Sequence, residues 1–119
     1  MKISELSKLT RISTHRIRRY EALGLIKSTR TSNDYREFSE SVVREVVFIS
    51  MARECGFSIN SIAEYLPKFR TETLTAQEMI EAIKIRIQEV NEVIKTQMAL
   101  REKLEQHIEW FGIKMRRKR

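Results

Sequence analysis

Apolar residues in the first part of the chain recur at helical spacing in four short segments. The pattern predicts helices over residues 2–9, 13–23, 39–55 and 59–66. Near each start lies a residue that can cap a helix N-terminus: Ser4, Ser13 or Thr14, Ser39, and Ser58. The residues expected to end helices are Gly24, Gly56 and Pro67. Four short helices therefore account for most of this region.

The second predicted helix has an apolar edge and a cationic edge. Ile17 and Leu23 can pack inward. The residues expected to point outward are Arg16, Arg18, Arg19 and Tyr20. Such an edge suits a phosphate-lined groove, where cations bind the backbone and short polar side chains reach base edges. A solvated basic face explains the same pattern, so both interpretations stay open at this point.

Residues 27–38 have no helical period. Threonines favour a strand here, and Ser32-Asn33-Asp34 favours a turn. We predict a small two-stranded wing with Arg30 on one side and Arg36 on the other, with an ordinary surface loop as the alternative. The first two helices, joined by a tight turn, match the helix-turn-helix plan, in which the second helix enters the major groove.

A long helix is predicted over residues 76–111, because apolar residues alternate there by three and four. The positions of this stripe, called the seam below, are Ile80, Ile83, Ile87, Val90, Ile94, Gln97, Arg101, Leu104, Ile108 and Phe111. A helix of this length cannot bury one apolar stripe on so small a domain, so it needs a partner. Gln97 and Arg101 interrupt the stripe and can fix the register or the direction of pairing.

The net charge of +7 is concentrated at the two ends of the 119 residues. Residues 1–38 carry nine Lys or Arg against four Asp or Glu, and residues 112–119 carry five against none. The segment between them is neutral or acidic. This uneven distribution indicates binding to an anionic partner rather than a surface charge that only keeps the protein soluble. We predict a basic tail over 112–119. No signal peptide or membrane span is evident, which predicts a cytoplasmic protein.

No group of residues suggests catalysis, a cofactor or a metal. His15 and His107 lie in different segments, and the single cysteine excludes an internal disulfide. Cys55 lies at the end of the third helix, where the helix dipole disfavours a thiolate. We expect a buried, inert thiol there, with a redox or aldehyde sensor as the alternative. The protein is predicted not to be an enzyme.

Short motifs follow one another along residues 1–66. They are Ile3-Ser4-Glu5-Leu6-Ser7, Ile17-Arg18-Arg19-Tyr20-Glu21, Gly24-Leu25-Ile26, Tyr35-Arg36, Phe38-Ser39, Arg53-Glu54 and Gly56-Phe57-Ser58. In order and spacing they resemble the N-terminal domain of the MerR family of bacterial transcription regulators. The chain departs from that family at Arg19, where an aromatic is usual, and at Asp34 and Arg11, where glycine is usual. The resemblance implies a mostly α fold, with a winged helix-turn-helix head at 1–70, a joint at 71–75 and an antiparallel dimerisation helix at 76–111.

The resemblance also implies a homodimer that reads an inverted repeat in duplex DNA and distorts the promoter spacer for RNA polymerase. We expect base-edge contacts from Thr14, His15, Arg16 and Arg19, and phosphate contacts from Ser4, Arg18, Tyr20, Arg30, Tyr35 and Arg36. The expected dimer contacts are Ile80, Ile83, Ile87, Val90, Ile94, Leu104, Ile108 and Phe111. Metal-site cysteines are not expected. A large effector domain is not expected either, because 119 residues leave no room for it. The alternatives are an effector-free architectural protein that bends DNA and a coiled-coil adaptor without a nucleic-acid role.

Overall fold

The computed structural model describes residues 1–117, with five helices and one two-stranded sheet. The elements are α1 (Ile3–Thr10), α2 (Thr14–Ala22), β1 (Thr29–Arg30), β2 (Arg36–Glu37), α3 (Val42–Glu54), α4 (Ile59–Arg70) and α5 (Ala76–Arg117). Residues 1–79 form one compact unit, and the chain from Ile80 onward forms a second. The predicted mostly α fold, with a winged helix-turn-helix head and a long final helix, is confirmed.

The head has its core between α1, α2, α3 and α4. Its fully buried large side chains are Leu6, Ile17, Ile26, Phe38, Val46, Ile49, Ile62 and Leu66. Four apolar residues of the helices in the head are exposed: Leu9, Leu23, Met51 and Ala63. Met51 lies on the face of α3 opposite its buried residues, so helical periodicity accounts for its exposure.

Helix boundaries differ from the predictions in three places. Ser4 lies inside α1, and Lys2 at the N-cap makes no side-chain capping bond. α3 begins at Val42, and the Ser39 carbonyl accepts the Val42 N–H at 3.1 Å, so the predicted Ser39 side-chain cap is wrong. α4 continues through Pro67 to Arg70. Pro67 removes only the bond to the carbonyl of Ala63, an exposed residue that water can reach.

The predicted wing is present as an antiparallel pair in which Thr29 lies opposite Glu37 and Arg30 opposite Arg36. Asp34 closes its tip with a left-handed φ of 61°, and its N–H donates to the Thr31 carbonyl at 2.9 Å. Aspartate therefore adopts the conformation for which glycine is usual. The Met1 carbonyl accepts the Phe38 N–H at 2.7 Å, which joins the start of α1 to the end of the wing.

The 42-residue helix α5 would rise about 63 Å at 1.5 Å per residue. Thr75 caps it, since its Oγ1 accepts the Glu78 N–H at 3.1 Å. The helix continues through Gly112 to Arg117, beyond the predicted end at Phe111; Lys118 and Arg119 lie outside the described residues. Within residues 1–117, no helix is long and apolar enough to cross a membrane.

Candidate nucleic-acid interface

Helix α2 is fixed at both ends, and its orientation follows from its buried residues. Ser13 caps the start, because its Oγ accepts the Arg16 N–H at 3.2 Å. Gly24 ends it with a φ of 79°, which lets the Leu25 N–H donate to the Tyr20 carbonyl at 3.0 Å. Ile17 and Tyr20 face the core. The opposite face of α2 is therefore presented to solvent.

The outward face of α2 carries His15, Arg18 and Arg19, all exposed. Within residues 1–117 these three side chains make no hydrogen bond, ion pair or ring contact. Their polar groups remain available to an external acceptor. A guanidinium in this state binds phosphate oxygens or the acceptor edge of guanine at no cost in internal bonds.

Tyr20 does not belong to that outward face, whereas Arg16 is exposed and lies at its edge. Tyr20 is only 4% exposed, so the prediction that its ring points out is wrong. The ring is buried in the core of the head, and its hydroxyl accepts a hydrogen bond from Nη2 of Arg16 at 2.8 Å. The same nitrogen donates to Ser50 Oγ on α3 at 3.1 Å. Arg16 thus bridges two helices, and its partner Ser50 could not be identified from the sequence pattern.

A groove beside the start of α1 brings most of the predicted phosphate contacts together. Its lining residues are Lys2, Ile3, Ser4, Arg18, Arg30, Asp34, Tyr35 and Arg36. The Lys2 ammonium lies 5.8 Å from the centre of the Tyr35 ring, an exposed aromatic at the wing. Arg30 is turned toward the wing tip, donating to the Asp34 carbonyl at 3.0 Å. Cations outnumber the single carboxylate, so the groove favours an anion.

Glu21, at the end of α2, holds the wing against this helix. Its carboxylate accepts a hydrogen bond from Arg36 Nε at 2.6 Å and another from the Ser28 hydroxyl. Burial raises the pKa of Glu21, but the bonds from Ser28 and Arg36 and the charges of Arg36 and Arg30 outweigh it. The pKa of Glu21 therefore lies below its ordinary value. Arg36, predicted to bind phosphate, is committed in part to this ion pair.

Arg70, at the end of α4, holds the segment that follows α2. Its Nε donates to the Glu45 carboxylate and its Nη2 to the Leu25 carbonyl, each at 2.5 Å. Glu45 is buried on α3, so the pair joins three elements of the head. Nothing in the local sequence pattern identified Arg70 or Glu45, since the two are 25 residues apart.

Cys55 lies at the C-cap of α3 and is exposed, so the prediction of a buried thiol is wrong. The helix ends at Glu54, and the turn at Gly56 carries the chain away before the thiol is covered. Across the part of the chain that the structure describes, no group of His, Cys, Asp or Glu is arranged to hold a metal ion.

Comparisons with known proteins agree with this geometry. The family described as "MerR HTH family regulatory protein" matches residues 1–68, and the family described as "MerR, DNA binding" matches residues 43–107. A Haemophilus influenzae protein named "Probable heavy metal-dependent transcriptional regulator" is 45% identical over 67 residues, 56% of this chain and 52% of that protein. The Escherichia coli K12 regulator ZntR is 35% identical over 91 residues, 75% of this chain and 64% of ZntR. The chain thus spans about half the length of the first of these relatives.

The fold is also shared with a solved structure. The transcription regulator PbrR691 from Ralstonia metallidurans CH34, in complex with lead(II), superposes with a TM-score of 0.73 at 24% identity. The match covers 89% of this chain and 83% of PbrR691. At this identity the likeness concerns the fold alone.

Proposed function

Because the chain belongs to the MerR HTH family of regulatory proteins, we propose that it binds duplex DNA as a homodimer and regulates transcription from the bound site. The names of its relatives are those of transcriptional regulators and not of enzymes. The observation that carries the proposal is the outward face of α2, where His15, Arg18 and Arg19 lie exposed and without internal partners.

Two kinds of contact are proposed for the head. His15 and Arg19 lie on the outward face of α2 and reach base edges in the major groove, together with the half-buried Thr14 at its first turn. Arg18 shares the groove with Ser4, Arg30 and Tyr35, and these residues bind phosphates on either side. Tyr20 supports this surface from behind, and the exposed Arg16, bonded to Tyr20 and Ser50, lies at its edge.

The dimer follows from α5. The seam residues Ile80, Ile83 and Ile87 are 46%, 39% and 53% exposed, and the stripe continues to Phe111 at 55%. An apolar stripe of this length is stabilised when a second copy covers it. Two heads on one antiparallel pair of helices would read two half-sites of an inverted repeat, and we propose that this distorts the promoter spacer for RNA polymerase.

Selection of binding sites from random duplex DNA tests the proposal without knowledge of the operator. We expect the selected duplexes to contain an inverted repeat and to bind with an affinity that falls steeply with salt. Arg18→Ala should weaken binding about tenfold on every duplex and reduce the salt slope by about two, one per subunit. Lys103→Ala, which removes an exposed charge from α5, is the matched control and should change neither.

Three outcomes separate the candidates. Selection of a two-fold symmetric site supports the regulator. Tight binding without any preferred sequence supports the architectural protein that bends DNA. An absence of DNA binding at low salt overturns both and leaves the coiled-coil adaptor.

A further inference from the structure

Helix α5 also exposes apolar side chains outside its seam, among them Ile85, Met98 and two residues that flank the seam in the middle of the helix. Val93 and Leu100 are 60% and 48% exposed, and they flank the seam next to its two polar positions, Gln97 and Arg101. In a heptad repeat, these two flanking positions and the two polar seam positions all lie on the side of the helix that faces a partner. The partner must therefore be apolar beside the seam at this depth, as well as within it.

We propose that a second copy packs antiparallel on α5 in the register that places Ile87 opposite Leu104 of the partner subunit. The proposal rests on the homodimer of the proposed function and adds its register. The other opposed seam pairs are Ile80 with Phe111, Ile83 with Ile108, Val90 with Arg101 and Ile94 with Gln97, each pair occurring twice by symmetry. In this register every seam residue from Ile80 to Phe111 has a seam residue opposite it.

The residues beside the seam match in the same register. Val93 faces Leu100 of the partner subunit, so an apolar pair covers the layers that contain the polar seam residues. Lys84 faces Glu105 of the partner subunit, which gives two attractive charge pairs per dimer. Within residues 1–117 of one chain, Lys84 and Glu105 have only exposed ion pairs of 3.8 Å, to Glu81 and Arg101, which leave both side chains able to rearrange.

A slip of one heptad in either direction is less favourable. One slip places Gln97 opposite Arg101 of the partner subunit, but it also sets Arg86 opposite Lys114 of the partner subunit and leaves Ile80 without a seam residue opposite it. The other slip sets Ile83 opposite Arg101 and Ile87 opposite Gln97 of the partner subunit, and it leaves Phe111 uncovered. Like charges beside a seam weaken pairing. Each slip also leaves one end of the seam uncovered, whereas the proposed register, which likewise sets the two polar seam residues opposite Val90 and Ile94, covers the whole seam.

Disulfide trapping distinguishes the three registers. In a Cys55→Ser background, Ile87→Cys is combined with Leu104→Cys for the proposed register, or with Phe111→Cys or Gln97→Cys for the two slips. One heptad is about 10 Å along a helix, beyond the roughly 7 Å between Cα atoms that a disulfide can span. Of the three double variants, we expect oxidation to yield a covalent dimer only for Ile87→Cys combined with Leu104→Cys. Trapping through either slip variant, or through none of the three, overturns the register.

Charge exchange provides a second measurement in which all variants keep their seams. Lys84→Glu should weaken dimerisation about tenfold in sedimentation equilibrium, because two attractive pairs become repulsive. Lys84→Glu combined with Glu105→Lys should restore it, whereas Lys95→Glu, a reversal away from the seam, should have no effect. A double variant no stronger than Lys84→Glu contradicts the register. Binding of duplex DNA by the trapped dimer is scored separately, so failure of the DNA-binding proposal leaves the register standing, and the reverse.

Discussion

The guanidinium of Arg16 on α2 is hydrogen-bonded to Ser50 on α3, with 3.1 Å between Nη2 and Oγ. Ser50 is only 7% exposed, and the same nitrogen also reaches the Tyr20 hydroxyl at 2.8 Å. Arg16 therefore bonds to α3 although it is itself exposed, two residues before Arg18 and three before Arg19, whose side chains make no such bond within residues 1–117. Neighbouring arginines on one short helix have different tasks, and substitutions can separate them.

Arg16→Ala should lower the free energy of unfolding by about 1–2 kcal/mol, because it removes two charge-assisted hydrogen bonds and a ring contact. Arg19→Ala removes no internal contact, so its stability should stay within about 0.5 kcal/mol of the parent. Urea denaturation measures both, and DNA affinity should fall for Arg19→Ala. Equal stability losses for the two variants would contradict the division of roles.

Periodicity alone was enough to predict the helices and the long seam, since both depend on local spacing. The role of Gly24 could also be predicted locally, because a helix end often needs a residue in the left-handed conformation. The internal partners of the site were missed for the opposite reason. Ser50 lies 34 residues from Arg16, and Tyr20 carries a polar tip on an apolar ring, so its position could not be read from its own segment. Contacts of this kind appear only when the helices are packed.

Glu21→Gln should destabilise the protein by about 1–2 kcal/mol at pH 7, since it weakens the part-buried bond from Arg36. The pKa of Glu21 is lowered in the folded state, so its carboxylate contributes stability above its ordinary pKa of 4.5. That contribution is lost as the pH falls through the lower folded value. The stability difference between parent and variant should therefore shrink on acidification, as followed by urea denaturation from pH 7 downward.

Glu5→Gln is the control for this pH series, because the exposed side chain of Glu5 makes no hydrogen bond or ion pair within residues 1–117. Its stability should follow that of the parent at every pH. If the difference in the free energy of unfolding between Glu21→Gln and the parent widened on acidification, the carboxylate would not stabilise the fold.

Cys55 should react with N-ethylmaleimide in the native protein, because its side chain is exposed at the end of α3. We expect complete labelling by mass spectrometry without denaturant. If the thiol has no sensing role, labelling and Cys55→Ser should both leave DNA affinity within about twofold, a change below 0.5 kcal/mol. A labelled protein that loses DNA binding while Cys55→Ser keeps it would instead support the thiol sensor.

Arg11→Gly should stabilise the protein, because Arg11 holds a left-handed φ of 60° in the turn between α1 and α2. A residue with a Cβ pays about 1 kcal/mol for this conformation, so Arg11→Gly should raise the free energy of unfolding by about that amount. Arg11→Ala is the matched control: it removes the same side chain, keeps the strain and should bring no gain. Gly24→Ala tests the reverse change, at a φ of 79° where an added Cβ meets nothing within 4 Å. Gly24→Ala should lower the free energy of unfolding by about 1 kcal/mol through the backbone alone. If thermal denaturation showed no difference between Arg11→Gly and Arg11→Ala, backbone strain at Arg11 would be refuted.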